Sequence, residues 1–88
     1  MVSYEDIKDL NFLLKRSDNF EKISLQIIKT LFMYNQRAEM NQRQILMLSI
    51  RQFEDLQKKN LLNYSTLTKL LDDLEHNLYA VNSMRKVA

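Results

Sequence analysis

The sequence predicts an all-α fold in a single helical domain over residues 1–88. Apolar residues recur at intervals of three and four along the whole chain, which is the periodicity of helices that bury one side. The chain contains no glycine and no proline, and sustained alternation of apolar and polar residues is absent, so strands and hairpins are not indicated. We therefore expect an elongated antiparallel bundle of three helices, over about 4–15, 19–59 and 65–84.

The first predicted helix begins after Ser3, whose hydroxyl can accept a hydrogen bond from the free N–H groups of the first turn. Asp6 lies three residues later, where the second half of a capping box is expected. The run 17–19 ends this helix, and Asp18 is the expected N-cap of the next one. The buried side of the first helix is predicted from four apolar residues at helical spacing: Ile7, Leu10, Leu13 and Leu14.

The middle segment predicts one long helix over 19–59. Its apolar residues keep nearly the same helical phase from Phe20 to Leu56. The alternative is a break near 35–41, a polar window that contains no residue which forces a helix to stop. A continuous helix would be roughly 60 Å long and would lie beside both outer helices. A break would instead allow a four-helix bundle.

The middle helix is expected to end at Asn60, since asparagine can adopt the left-handed conformation that often follows a helix. Ser65 is the expected N-cap of the last helix. The last helix carries the most regular apolar stripe of the chain: Leu67, Leu70, Leu71, Leu74, Leu78 and Val81. We expect this stripe to pack against residues 38–59 of the middle helix.

The residue types that are missing exclude several kinds of chemistry. Without cysteine the chain has no disulfide, no iron–sulfur ligands and no thiol nucleophile. Without glycine it has no phosphate-binding loop of the known nucleotide-binding motifs.

His76 is the only histidine. The acids near it in the sequence, Asp72, Asp73 and Glu75, are interpreted as a solvated helix face, with a divalent-metal site as the weaker alternative. We expect no enzymatic activity, no cofactor and no metal.

The expected location is the cytoplasm, without a membrane partner. The longest apolar runs, four residues each as in 31–34 and 45–48, are far shorter than the roughly 20 residues that span a bilayer. The N-terminus carries acids and lacks the basic start of a signal peptide. The formal net charge of +2 is too small to indicate a strongly basic nucleic-acid-binding surface.

The middle segment has more apolar surface than one antiparallel neighbour can cover, because its apolar arc extends over roughly half of the helix circumference. Uncovered apolar surface of this kind usually marks an interface. Six side chains of this segment are expected to be partly exposed: Leu25, Ile28, Phe32, Met33, Met47 and Ile50. The residues predicted to bind a partner are Phe32, Met33, Arg37, Met40, Arg43 and Met47. The three methionines recur every seven residues and can adapt to an irregular partner.

These features predict a regulator or inhibitor, of the type found in phages and mobile elements, that docks a helix face on a partner protein of unknown identity. A two-fold homodimer is the expected oligomer, because it is the commonest way to cover such a face. A toxin-neutralising or immunity role is an alternative.

A different class of function is nucleic-acid binding through the window 35–51. Its amide and arginine side chains can contact phosphates and base edges: Gln36, Arg37, Asn41, Gln42, Arg43, Gln44 and Arg51.

One stretch of the chain resembles a known family. Residues 41–65, with Gln44, the leucines that follow it and the run Asn63-Tyr64-Ser65 before a final helix, are similar to the small three-helix antitoxins of the epsilon type that neutralise zeta kinases. The similarity covers less than a third of the chain. It implies a protein that blocks a toxin by occluding its nucleotide site.

Overall fold

The computed structural model describes the backbone of residues 2–87 and the side chains of residues 2–83. The described part contains four α-helices and no β-strand, so the prediction of an all-α fold is confirmed. The helices are α1 (Tyr4–Arg16), α2 (Phe20–Arg37), α3 (Met40–Lys58) and α4 (Tyr64–Val87). The prediction of one continuous helix over 19–59 is wrong. The chain leaves the helix at residues 38–39, and the alternative of a break near 35–41 is confirmed.

Consecutive helices run antiparallel, and α4 packs on α1 to close the bundle. At one end, the ring of Tyr4 at the start of α1 packs edge-on against that of Tyr79 near the end of α4, with centroids 5.1 Å apart. At the other end, the hydroxyl of Tyr64 at the start of α4 donates a 2.9 Å hydrogen bond to the carbonyl of Ser17 after α1. The bundle measures 41 × 24 × 19 Å, shorter than a continuous helix over 19–59 would be.

The core is formed by apolar side chains from all four helices. Burial of the stripe predicted for the last helix is confirmed, and only Val81 in it is half-buried. Helix α4 packs against α1 as well as against the predicted neighbour α3. Leu13, predicted to be buried, is exposed. Ile50, predicted to be partly exposed, is fully buried, because α3 as a separate helix packs against both α2 and α4. The largest fully buried side chains are Ile7, Leu14, Ile27, Leu31, Leu46, Ile50, Phe53, Leu67, Leu70, Leu71, Leu74 and Leu78.

Two of the helix ends lie where local sequence signals predict them. The hydroxyl of Ser3 accepts a hydrogen bond from the N–H of Glu5 at 3.1 Å, and the Asp6 carboxylate accepts one from the N–H of Ser3 at 2.9 Å, so the capping box is confirmed. After α3, Asn60 has a φ of 57°. It therefore adopts the predicted left-handed conformation, which asparagine tolerates better than most residues.

Two other N-caps differ from the predicted ones. Asn19 and not Asp18 caps α2, and its side-chain oxygen accepts from the N–H three residues later at 3.2 Å. Helix α4 begins at Tyr64, before the predicted cap Ser65. The side chain of Asn63 accepts from the N–H of Thr66, and the Thr66 hydroxyl accepts from the N–H of Asn63, both at 2.9 Å. Since Asp, Asn and Ser are all good caps, the three-dimensional path of the chain decides which one is used.

The break between α2 and α3 is stabilised by polar contacts and not by a helix-breaking residue. Ala38 and Glu39 both have extended backbone, with ψ angles of 153° and 162°. The guanidinium of Arg43 turns back and donates hydrogen bonds to the carbonyls of Ala38, at 3.0 Å, and Gln36, at 3.3 Å. These contacts satisfy carbonyl groups that would otherwise lack partners where α2 ends.

The side chain of Gln42 lies beside the break, is 1% exposed and connects four parts of the chain. Its Oε1 accepts from the N–H groups of Val2, at 3.1 Å, and Glu39, at 3.4 Å. Its Nε2 donates to the carbonyl of Val2, at 2.6 Å, and to Oδ1 of Asn82, at 3.3 Å. The amide therefore joins the N-terminal segment, the break, α3 and α4. Since buried polar groups that lose a partner are destabilising, these bonds favour one arrangement of this end of the bundle.

Replacing Gln42 by alanine should lower the free energy of unfolding by about 1–3 kcal/mol, because the N–H and carbonyl of Val2 lose their buried partner. The measurement is chemical denaturation followed by helical circular dichroism. Gln44→Ala is the matched control, since Gln44 is an exposed residue of the same helix and its loss should change stability by less than about 0.5 kcal/mol. Equal effects of the two substitutions would contradict the role assigned to Gln42.

Candidate functional site

Large apolar side chains remain at the surface after the core is complete. Within the described residues they are Phe12, Leu13, Leu25, Phe32, Met33, Met40, Leu48, Leu61, Tyr64 and Tyr79. The two most exposed both lie on α3: Met40 at 80% and Leu48 at 65%. Isolated exposed apolar residues are ordinary on protein surfaces, so what matters is whether they adjoin other apolar groups and grooves.

The outer side of α3 carries two grooves that share a ridge. The first, of about 410 Å³, is lined by Met40, Arg43, Gln44, Met47, Leu48 and Arg51. The second, of about 560 Å³, lies between α3 and α4 and is lined by Ile45, Leu48, Ser49, Arg51, Gln52, Asp73, His76 and Asn77. Leu48 and Arg51 line both grooves and therefore form the ridge between them. We define the α3 face as Met40, Gln44, Met47, Leu48 and Arg51.

The α3 face follows from the register of α3 on the core. Leu46 and Ile50 point inward and are fully buried. At roughly 100° per residue, Leu48 lies on nearly the opposite side of the helix from Leu46. Met47 lies between these two directions and is half-buried, and its sulfur accepts a 3.3 Å hydrogen bond from the side-chain amide of Asn35 in α2. The α3 face therefore begins at the α2–α3 seam and extends outward to Leu48.

Three of the six residues predicted to bind a partner lie in one groove: Met40, Arg43 and Met47. Phe32 and Met33 are exposed, as predicted, but they lie on α2 and do not line that groove. Because they are adjacent in a helix, their side chains project roughly 100° apart. A single docked element would therefore contact one of them more readily than both.

The three arginines near the break and on α3 have different surroundings. Arg43 is engaged with the carbonyls at the end of α2. The guanidinium of Arg37 lies 5.6 Å from the centre of the Tyr34 ring, within the range of a cation–π contact. Arg51 makes no hydrogen bond or ion pair with any described residue. Arg51 is therefore the cation of the α3 face that is available to a partner.

The partner-binding residues predicted from the sequence do not include Leu48. Arg51 is predicted only as part of the nucleic-acid-binding window 35–51. A signal for Leu48 is present in the sequence. The spacing of Leu46, Ile50 and Phe53 defines the buried side of α3, and Leu48 is an apolar residue far out of phase with it. The side chains of the window 35–51 do not all face outward, since Gln42 is buried and hydrogen-bonded within the fold.

The residues around His76 separate onto two sides of α4. His76 and Asp73 line the groove between α3 and α4. Asp72 instead faces α1, where its carboxylate accepts a 2.6 Å hydrogen bond from the side-chain amide of Asn11. Within the part of the chain that the structure describes, no three histidine, cysteine or acidic side chains are grouped so that they could hold a metal ion.

Comparison of the chain with protein-family models, with curated proteins and with solved structures gives no match. The similarity of residues 41–65 to the epsilon-type antitoxins therefore rests on those residues alone.

Over residues 2–87, none of the helices is long and apolar enough to cross a membrane.

Tyr34 is half-buried in α2, beside the predicted site residue Arg37. Burial raises the pKa of its phenol above the usual value of 10.0, because the charged phenolate is poorly solvated there. The negative charges of Asp6 and Asp9 raise the pKa further, and the positive charge of Arg37 partly opposes them. Tyr34 thus reports on the electrostatic environment between α1 and α2.

We expect the ultraviolet titration of the wild-type protein, after subtraction of the curve for Tyr34→Phe, to show a single phenol with its midpoint above pH 10.0. Because the folded pKa lies above the unfolded one, the contribution of this phenol to stability is constant below pH 10.0 and is lost as the pH rises through the folded pKa. Repeating the subtraction with Asp6→Asn in both proteins should lower the midpoint. A midpoint at or below 10.0 would contradict this description.

Proposed function

We propose that the protein is a small non-enzymatic regulator or inhibitor that acts by docking its α3 face on a partner protein. One observation carries the proposal: the exposed side chain of Leu48 forms a ridge between two grooves, with Met40 exposed on the same side of the helix. Removing apolar surface from water contributes roughly 25 cal/mol per Å². Covering the α3 face therefore contributes favourable free energy to the binding of a partner.

The shape of the surface favours a helix-in-groove contact. The grooves on either side of the Leu48 ridge leave room for a partner to insert its own side chains. The thioether side chains of Met40 and Met47 can adjust to an irregular partner surface. A toxin-neutralising or immunity function would be one form of such docking, and a two-fold homodimer would be another.

Leu48→Glu should weaken docking while leaving the fold intact. A photo-crosslinking residue placed at position 48 in the cells that produce the protein should capture the partner, which is then purified for affinity measurements. Because a charge at position 48 must be desolvated on docking, we expect the affinity to fall by at least about ten-fold, or about 1.4 kcal/mol. Helical circular dichroism and the denaturation midpoint should stay close to those of the wild type, since Leu48 is exposed.

Leu25→Glu is the matched control for this substitution. Leu25 is also a leucine in the interior of a helix and is 54% exposed, but it lies on α2 and lines neither groove of the α3 face. The affinity for the captured partner should be retained in this variant. If both variants bind equally well, or both lose binding equally, docking does not occur specifically through the α3 face.

A further inference from the structure

We infer that the partner covers the α3 face with an acidic amphipathic helix, an inference that rests on the proposed function. The register of the face supports a helical occupant. Met40, Gln44, Met47 and Arg51 follow one another at intervals of four, three and four, which is the spacing that packs against a second helix. From Met40 to Arg51 this row extends for roughly 16 Å, the length of about three helical turns.

The charges on α3 indicate the sign of the partner. Between Met40 and Phe53, α3 carries two arginines and no acidic residue. Asp73 of α4 lines the second groove together with Arg51, but the two side chains form no ion pair. Arg43 is already engaged with the end of α2, whereas Arg51 has no partner among the described residues and stands on the ridge between the grooves. Covering the face removes the Arg51 guanidinium from water, and an unpaired buried charge is strongly unfavourable. A carboxylate on the partner helix would satisfy it, with a planar two-bond contact available to the guanidinium.

A second copy of the chain fits this charge pattern less well. In an antiparallel two-fold pairing about the middle of the row, Arg51 of one copy would approach residues 40–43 of the other, a segment whose only charge is that of Arg43. In a parallel two-fold pairing, Arg51 would face the same residue of the other copy. Both arrangements hold arginines near one another, and like charges held together at an interface oppose association. In the antiparallel pairing the acid next to this segment is Glu39, whose side chain is already engaged in the capping box at the start of α3.

A nucleic acid also carries negative charge, but the α3 face is poorly suited to it. Phosphate binding depends on several cations spread along the surface. Among the described residues, Arg51 is the one free cation of the α3 face, and the same face exposes the apolar side chains of Leu48, beside Arg51, and Met40, at the far end of the row. These side chains would remain exposed against a phosphate backbone, whereas the apolar side of an amphipathic helix would cover them.

The test uses a displayed library of amphipathic helices, each about 15 residues long, in which the apolar side is constant and the flanking positions vary among Glu, Lys and Gln. The full chain is the bait. We expect enrichment of helices with Glu at the flanking positions, and about ten-fold weaker binding when these are exchanged for Lys. Arg51→Glu should reverse this preference, and Arg51→Gln should remove it. Leu48→Glu should abolish binding of all enriched helices.

The outcomes separate the partner's charge from the docking itself. Enrichment of Lys- or Gln-flanked helices whose binding depends on Leu48 would overturn the acidic partner and leave the proposed function standing. If no enriched helix depends on Leu48, both are overturned. A dimer mass in light scattering that is lost in Leu48→Glu would make a second copy the occupant. Salt-sensitive binding of a duplex oligonucleotide that requires Arg51 would make a nucleic acid the occupant, and either result would overturn the acidic helix.

Discussion

The buried amide of Gln42 is the contact on which the rest of the fold depends, because it lies where the chain could otherwise continue as one helix. A continuous helix would keep a few more backbone hydrogen bonds, each with a net contribution of roughly 1 kcal/mol. The break allows α3 to fold back along α2 and bury side chains such as Leu46 and Ile50, each contributing roughly 1.5–3 kcal/mol. The free energy gained by burying these side chains is larger than that of the few backbone hydrogen bonds lost at the break. Gln42 and Arg43 make it attainable, since they satisfy the polar groups around the break.

Local signals are sufficient for the parts of the fold that local contacts determine. The capping box at Ser3 and the left-handed Asn60 each depend on residues within a turn or two of one another, and the leucine stripe of α4 depends on the spacing of residues within one helix. The break at 38–39 depends on local contacts of Arg43 and Gln42 and also on Val2, which is 40 residues away from Gln42 in the sequence. Helix propensity in this window favours continuation, so no reading of the window alone could place the break with certainty.

The same limit explains how much of the candidate site could be predicted. The helical spacing of Met40 and Met47 predicts that they share one side of a helix, and they do line one groove. A continuous helix would place Phe32 and Met33 on that same helix. Because the helix is broken, the residues of α2 and α3 lie on two helices that run in opposite directions. Leu48 can be recognised as an outlier only when α3 is considered as a helix with its own buried side.

The exposed ridge of the α3 face at Leu48 is not required for the fold, and this distinguishes it from the buried side of the same helix. Leu48 points away from the core, so exchanging it for a polar residue would remove little that stabilises the folded chain. Gln42 and Gln44 make the same point two residues apart: the first is buried and holds the bundle together, and the second lies on the face. A single helix thus carries one side that the fold needs and another that it does not. In the proposed function, the apolar ridge on the second side is the surface that a partner covers.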